Sequence, residues 1–317
     1  MTLRLSVKSA AWSRQISEVA TSIGDIVPVV KGNGYGFGRL ALMPYAASLG
    51  NEIAVGTIFE AHDVPENRTA IVLTPAGSHL PASLPATTIL TVGSVKHVEN
   101  LRTNSWRGSV IVKLSSRMNR YGAKQEELND LLNAIKESGI TQIGWSIHPP
   151  LEGPISSHVA EIHAWMSRQS SELPWFVSHI DESGAASLRM AFTNSRIRVR
   201  VGTSLWLGDK SMIELSADVL DLHKVQCGDT AGYRNTPITQ DGSLVMIGAG
   251  TSHGISILPT ELSPFHFHKS RLNLLEPSHM HTSMVFIPTS TRCPEVGDSV
   301  DVQQPLTRVY PDYISWD

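Results

Sequence analysis

From about residue 11 to 212, short apolar runs rich in β-branched residues alternate with longer stretches whose apolar positions recur near i, i+3, i+4 and i+7. The short runs predict strands at Ile26–Val30, Glu52–Gly56, Thr69–Leu73, Thr88–Leu90, Ser109–Leu114, Ile140–Ser146, Trp175–His179 and Arg196–Val201. The longer stretches, Gln125–Glu137 and Ile155–Ser170 among them, predict amphipathic helices. Alternation sustained over eight strands predicts parallel βαβ units closed into a (β/α)8 barrel, a fold of typically about 250 residues. Residues 76–90, rich in Pro, Ala and Thr, read equally well in several ways. After residue 212 the pattern changes. Ala217–Lys224, Leu244–Ile247, Ser283–Ile287 and Ser299–Val302 are short, lack helical period and are separated by Asp-Gly and Gly-Asp turn signals. The expected organisation is a barrel over residues 10–212 and a small, mostly β domain over 213–317. Residues 1–9 alternate before the first helical period and are expected to add a strand to that second domain.

The chain is 317 residues long, enough for about two domains. Hydrophobic residues make up 41% and charged residues 17%, a balance that excludes extensive disorder and supports a large core. A net charge of −3 supplies no field to draw in nucleic acid or an anionic membrane, so neither partner is expected. Cys227 and Cys293 are too few for a disulfide scaffold and suit a reducing compartment. With no apolar leader and no run approaching the ~18 residues of a membrane span, the expected location is the cytoplasm.

The richest stretch for chemistry runs Ile26-Val27-Pro28-Val29-Val30-Lys31-Gly32-Asn33-Gly34-Tyr35-Gly36-Phe37-Gly38. A buried strand delivers one lysine at its C-terminal end, where barrels carry their reactive groups, and a glycine-rich loop follows. Low dielectric there depresses the pKa of a lysine and suits it to Schiff-base chemistry.

This stretch resembles the cofactor-lysine motif of the alanine racemase family, VVKxNxYGxG. Further segments follow in the family's order along nearly the whole chain. Lys113–Gly122, containing Arg120, is similar to its lysine–DTGMGRLG segment, and Gly144–His148 to its strand ending in histidine. Val177–Leu188, with His179 and Ser183, resembles the segment ending in NSAA, and Arg198–Gly208 the arginine–glycine phosphate segment. Val225–Thr236 (VQCGDTAGYRNT) resembles the segment bearing a second catalytic tyrosine. Another alignment places Cys227 there, but the Gly-Asp-Thr-Ala-Gly-Tyr spacing favours Tyr233.

The resemblance implies a pyridoxal 5′-phosphate-dependent amino-acid racemase with two bases. Lys31 would carry the cofactor and act as one base, and Tyr233 of the partner subunit in a head-to-tail homodimer would be the other. Tyr35, Ser183, Gly202 and Thr203 would hold the phosphate, a role suited to backbone N–H groups at turns and helix starts. Arg200 would face the pyridine nitrogen, with His148 bridging it to the catalytic tyrosine. Arg120 would bind the substrate carboxylate or the cofactor's phenolate oxygen, and Met280 and His281 would bind substrate. Lys113 would orient Arg120, at a position that some relatives carbamylate.

Three departures bear on the substrate. His281, in His279-Met280-His281-Thr282, stands where the family's M-D-Q segment has aspartate. Gly248–Ile255 (GAGTSHGI) lacks the tyrosines of IGYADGY that gate access. Thr307–Asp317 takes the place of the tail that supplies another phosphate-binding tyrosine, with Tyr310 and Tyr313 as substitutes to consider. No metal is expected, although His266/His268 and His279/His281 are H-x-H pairs that would share a strand face. The alternatives are a fold-related lyase of the D-serine dehydratase or D-threonine aldolase type, using those pairs for metal, and a non-catalytic pyridoxal-phosphate-binding protein.

Overall fold

The chain opens with strand β1 (Leu3–Val7) and helix α1 (Ser9–Ile23), then enters eight strands: β2 (Ile26–Pro28), β3 (Glu52–Val55), β4 (Thr69–Pro75), β5 (Ile89–Val92), β6 (Ser109–Lys113), β7 (Thr141–Ser146), β8 (Trp175–Val177) and β9 (Ile197–Val201). This computed structural model describes residues 2–169 and 172–317. Met1 and Ser170, ends of an expected strand and an expected helix, lie outside the described residues.

Strands β2 to β9 form one parallel sheet in the order β2-β9-β8-β7-β6-β5-β4-β3. A parallel bridge between Val29 and Ala54, with Val30 N donating to Ala54 O at 2.8 Å, joins the two ends and closes the barrel. Every expected barrel run is a strand, and the ends shift by a few residues. Inside, Val27, Val29, Ala54, Ile71, Ile89, Ile111 and Phe176 form a buried apolar cluster. Such burial stabilises at roughly 25 cal/mol per Å² of apolar surface.

Helices α2 (Arg39–Leu49), α3 (Val95–Thr103), α4 (Leu128–Ser138), α5 (Ile155–Arg168), α6 (Glu182–Ala191) and α7 (Thr203–Trp206) connect most of the strands. Sequence chemistry sets their ends. Ser94 accepts from His97 N at the start of α3, Asp181 accepts from Gly184 N at the start of α6, and Gly139 ends α4 at φ 72°. Two connections lack an α-helix: β3 to β4 holds only the 3-10 turn Ile58–Asp63, and between β4 and β5 residues 76–88 form no helix. Pro81 and Pro85 each lack a backbone N–H and clash with a preceding turn, so no helix propagates there.

The chain separates into two compact units. The barrel unit comprises Gln15–Gly32 and Arg39–Gly208; the other holds the N-terminal residues to Arg14, Asn33–Gly38 and Asp209–Asp317. In this second unit the long strand β10 (Ile213–Val225) pairs antiparallel with β1, in register Leu5↔Leu215. Leu3, Leu5 and Val7 are all fully buried, the alternation expected of a strand with one face on a core. The tail also forms a strand, Tyr313–Trp316, parallel to β1. Its partners lie some three hundred residues away, beyond the reach of local pattern. Asn33 of the glycine-rich loop donates from Nδ2 to Leu306 O and Val309 O at 2.8 and 2.7 Å within the same unit.

Candidate active site

The barrel mouth is assembled from the C-terminal ends of strands. Val29 N donates to Val201 O at 2.8 Å, extending β2 so that Lys31 emerges at its end. Lys113 ends β6, His148 follows β7, Ser178 and His179 follow β8, and Arg200 lies near the end of β9. Side chains from five strands therefore converge where a barrel of this kind places its chemistry.

Charge is the dominant feature of this mouth. Lys31 stays open to solvent, yet surrounding protein depresses its pKa by burial, and Arg120 and Arg200 depress it further, against a raising effect of Glu60. Lys113 is buried and its pKa lies well below the ordinary lysine value, through burial and then the fields of Arg200 and Arg120. Burial lowers the Arg200 guanidinium to about 10, so it stays charged at neutral pH. The carboxylate whose field acts on Lys31 is Glu60, which accepts the backbone N–H groups of Gly32 (3.1 Å), Gly56 (2.6 Å) and Thr57 (3.3 Å). Basic side chains outnumber this carboxylate at the mouth, which suits an anionic ligand.

Arg200 donates from Nη2 to Ile147 O at 2.7 Å and to Ser178 Oγ at 3.3 Å. Ser178 Oγ in turn bonds His148 Nδ1, so the serine links arginine and histidine. Burial, then Arg200, Lys113, His179 and Arg120, hold His148 far below its ordinary pKa, so the imidazole is neutral. His179 is pinned by Nδ1, which donates to Pro149 O and Pro150 O at 3.0 and 2.9 Å. Among the described residues Arg200 Nε is one of several buried polar atoms without a hydrogen-bond partner, and it lies at the mouth. A buried unpaired donor on a charged group costs on the order of 1–3 kcal/mol or more, a cost that a ligand acceptor at the mouth would relieve.

The residues expected around a phosphate are spread along the chain. Ser183 is exposed and donates from Oγ to Asp181 Oδ1 at 2.9 Å. Gly202 caps the short helix α7, which Thr203 begins. Tyr35 is buried with φ 57°, in the segment that groups with the second unit.

That unit carries the remaining expected residues. Tyr233 sits between the two-residue strands Thr230–Ala231 and Thr236–Pro237 and is 86% exposed. Met280 is also exposed, and His281 shares a hydrogen bond with Ser252 through Nδ1 at 2.9 Å. Tyr310 and Tyr313 are both partly exposed, Tyr313 on the strand beside β1. Among the described residues no three His, Cys, Asp or Glu side chains gather as a metal site. Sequence reading missed Ser178 and Glu60. Ser178 had a usable signal, its place near the C-terminal end of the expected strand Trp175–His179; Glu60 had none, because its loop had no assigned element.

The family model described as alanine racemase, N-terminal domain, matches residues 7–210. The chain belongs to the alanine racemase family. An alanine racemase from Alcanivorax borkumensis is 24% identical over 275 residues, which cover 79% of this chain and 76% of that protein. An alanine racemase structure from Bartonella henselae, with covalently bound pyridoxal phosphate, superposes with a TM-score of 0.73 at 19% identity over 100% of both chains. The Bacillus anthracis alanine racemase with bound L-Ala-P has a TM-score of 0.72 at 18% identity, covering 99% of this chain and 87% of that one. These structures share the fold of barrel and β region. Pyridoxal 5′-phosphate is the cofactor of the alanine racemase family, and the barrel mouth fits it: a lysine of depressed pKa, a surplus of positive charge and one buried, unpartnered arginine N–H occur together.

Proposed function

We propose that this member of the alanine racemase family is a pyridoxal-phosphate-dependent amino-acid racemase acting on a small or moderately polar amino acid. The observation that carries this reading is the unpartnered Nε–H of Arg200, buried at the mouth that also presents Lys31. When bound, pyridoxal phosphate supplies an electron-withdrawing ring that acidifies the amino acid α-proton. Arg200 would offer its free Nε–H to the ring nitrogen and would keep its own proton, since its pKa of about 10 lies well above neutrality. Ser178 and neutral His148 hold the guanidinium in place from the other side.

Lys31 would hold the cofactor covalently through Nζ; once the substrate amine has displaced it, the freed Nζ amine would exchange the α-proton on one face. Its depressed pKa favours the free amine that both tasks need. Inversion also needs a group on the opposite face, and the partner subunit's Tyr233 supplies its phenol there. Arg120 binds the substrate carboxylate and Lys113 orients Arg120, as a carbamate where it is modified. Tyr35, Ser183, Gly202 and Thr203 would hold the phosphate. Met280 and His281 of the partner subunit border the substrate, and His281 puts an imidazole where relatives have a carboxylate. The protein works as a head-to-tail homodimer in the cytoplasm, where Cys227 and Cys293, which form no disulfide, remain reduced.

Chiral analysis of an amino-acid panel incubated with the cofactor-loaded protein tests the activity. Lys31→Ala should abolish the visible absorption of the lysine-bound cofactor. Tyr233→Phe should keep that absorption and lose turnover. A Tyr233→Phe protein that racemises normally would overturn the two-base assignment.

A further inference from the structure

Tyr233 occupies the tip of a hairpin with only two residues in each strand, Thr230–Ala231 and Thr236–Pro237. A hairpin so short does not hold its shape in water unaided. Its side chain is 86% exposed, yet a base must meet its proton within a few tenths of an ångström. What steadies it comes from forty residues further along the chain.

Glu276 is buried, and its carboxylate lies directly beneath the tip. Oε1 accepts Tyr233 N at 2.9 Å, and Oε2 accepts Arg234 N at 3.2 Å. His279 completes the arrangement by donating from Nε2 to Oε1, the only sense open to it because an ionised carboxylate has no proton to give. Burial works to raise the Glu276 carboxyl, but the bonds from His279, Tyr233 and Arg234 outweigh it and hold the group below the usual carboxylate range. The approach is close enough to dictate the neighbouring residue. Gly232 has φ 77°, and a Cβ there would lie 2.2 Å from Glu276 Oε1. Fixed by the same carboxylate, the His279 ring stacks on the Tyr233 phenol with centroids 4.1 Å apart and planes at 24°.

One carboxylate thus ties down the backbone of Tyr233, and through His279 it supports the ring. We propose that Glu276 and His279 are positioning residues that pre-organise Tyr233 as a base, an inference that rests on the reading of Tyr233 as one of the two bases. Neither touches the substrate; they act by restricting where the phenol oxygen travels. Freed of them, the tyrosine keeps its chemistry and loses its aim.

The test uses the cofactor-loaded enzyme and the amino acid that the panel identifies, in protiated and α-deuterated form, run from each enantiomer. Glu276→Gln retains the shape but weakens the grip on two N–H groups and the imidazole; His279→Asn keeps a donor and removes the stacked ring. In both variants kcat should fall about tenfold or more, the rate equivalent of one charge-assisted hydrogen bond, with KM nearly unchanged and the cofactor absorption intact. The deuterium isotope effect should rise only in the direction in which Tyr233 removes the proton. A purely structural role would lower kcat with the cofactor-loaded fraction and leave both isotope effects alone. If Glu276→Gln does not fold, His279→Asn carries the same readout. Isotope effects unchanged in both directions, with Tyr233→Phe inactive, would overturn the positioning role alone. Normal turnover by Tyr233→Phe would overturn the underlying assignment instead.

Discussion

Lys113 shows how far one side chain can be pressed by its surroundings. Its ammonium is buried at the end of β6, and the fields acting on it, after burial itself, come from Arg200 and Arg120. The unfolded chain keeps this proton up to the ordinary 10.5, whereas the folded protein sheds it earlier. Between those values the unfolded state binds more protons, so stability rises with pH across that window. Below it the full cost of the buried charge is present. Lys113→Met should therefore stabilise the protein near neutral pH by about 1–2 kcal/mol in urea unfolding, and the gain should shrink as pH approaches 10.5. Destabilisation at neutral pH, relieved when bicarbonate is excluded from the wild type, would mark the residue as a carbamate whose negative charge pairs with the arginines.

Strand β9 uses the two-residue period to place two arginines on one side, and each does a different job. Arg200 serves the mouth. Arg198, with its side chain 4% exposed, lies over the Phe176 ring and bonds Asp25, ahead of β2, at 3.1 Å and Glu52, at the start of β3, at 2.7 Å. It thereby ties together the strands at the closing seam. Arg198→Met removes a buried cation from Glu52 and from Asp25, which keeps Arg196 at 2.7 Å, and should cost about 2 kcal/mol, below a fully buried pair because both acids retain some solvent. Asp25 also titrates through this link. Burial tends to raise its carboxyl, but Arg196 and Arg198 outweigh that and hold it below 3.8. Its contribution is present above 3.8 and is lost as pH falls through the lower, folded value. The acid limb of the wild-type stability profile should therefore flatten in Arg198→Met, while the cofactor absorption survives, because the change lies at the end of the barrel away from Lys31. Loss of that absorption with the fold intact would contradict the division of labour.

For the whole molecule the decisive question is where the second base comes from. Lys31 belongs to the barrel unit and Tyr233 to the β unit. In a head-to-tail dimer of the proposed kind, a two-fold axis repeats the same contact and builds two sites, each from both chains. Lys31→Ala and Tyr233→Phe subunits should each be inactive alone. After exchange, half the dimers are mixed, and each mixed dimer holds one intact and one doubly broken site. Activity should recover to about a quarter of wild type. Continued inactivity after exchange has been verified would place both bases in one chain.

Much of this architecture was legible before folding. The eight barrel strands and the helices between them follow from apolar spacing at two and at three to four residues, because those periods decide which side chains share a face. Lys31 was legible for the same reason: a buried strand must end somewhere, and the residue after it stands at the barrel mouth. Tertiary structure decided what that local code does not contain. Pairing of β9, β8 and β7 as neighbours in the sheet brought Ser178 between Arg200 and His148, with Arg200 Nε left without a partner among the described residues. Pairing of Tyr313–Trp316 with β1 joined segments from opposite ends of the chain. The Glu276 carboxylate beneath Tyr233 depends on a chain reversal spanning some forty residues. Local pattern records the free energy of neighbours in sequence; the distances that govern a buried hydrogen bond or a shifted pKa exist only once the sheets have closed.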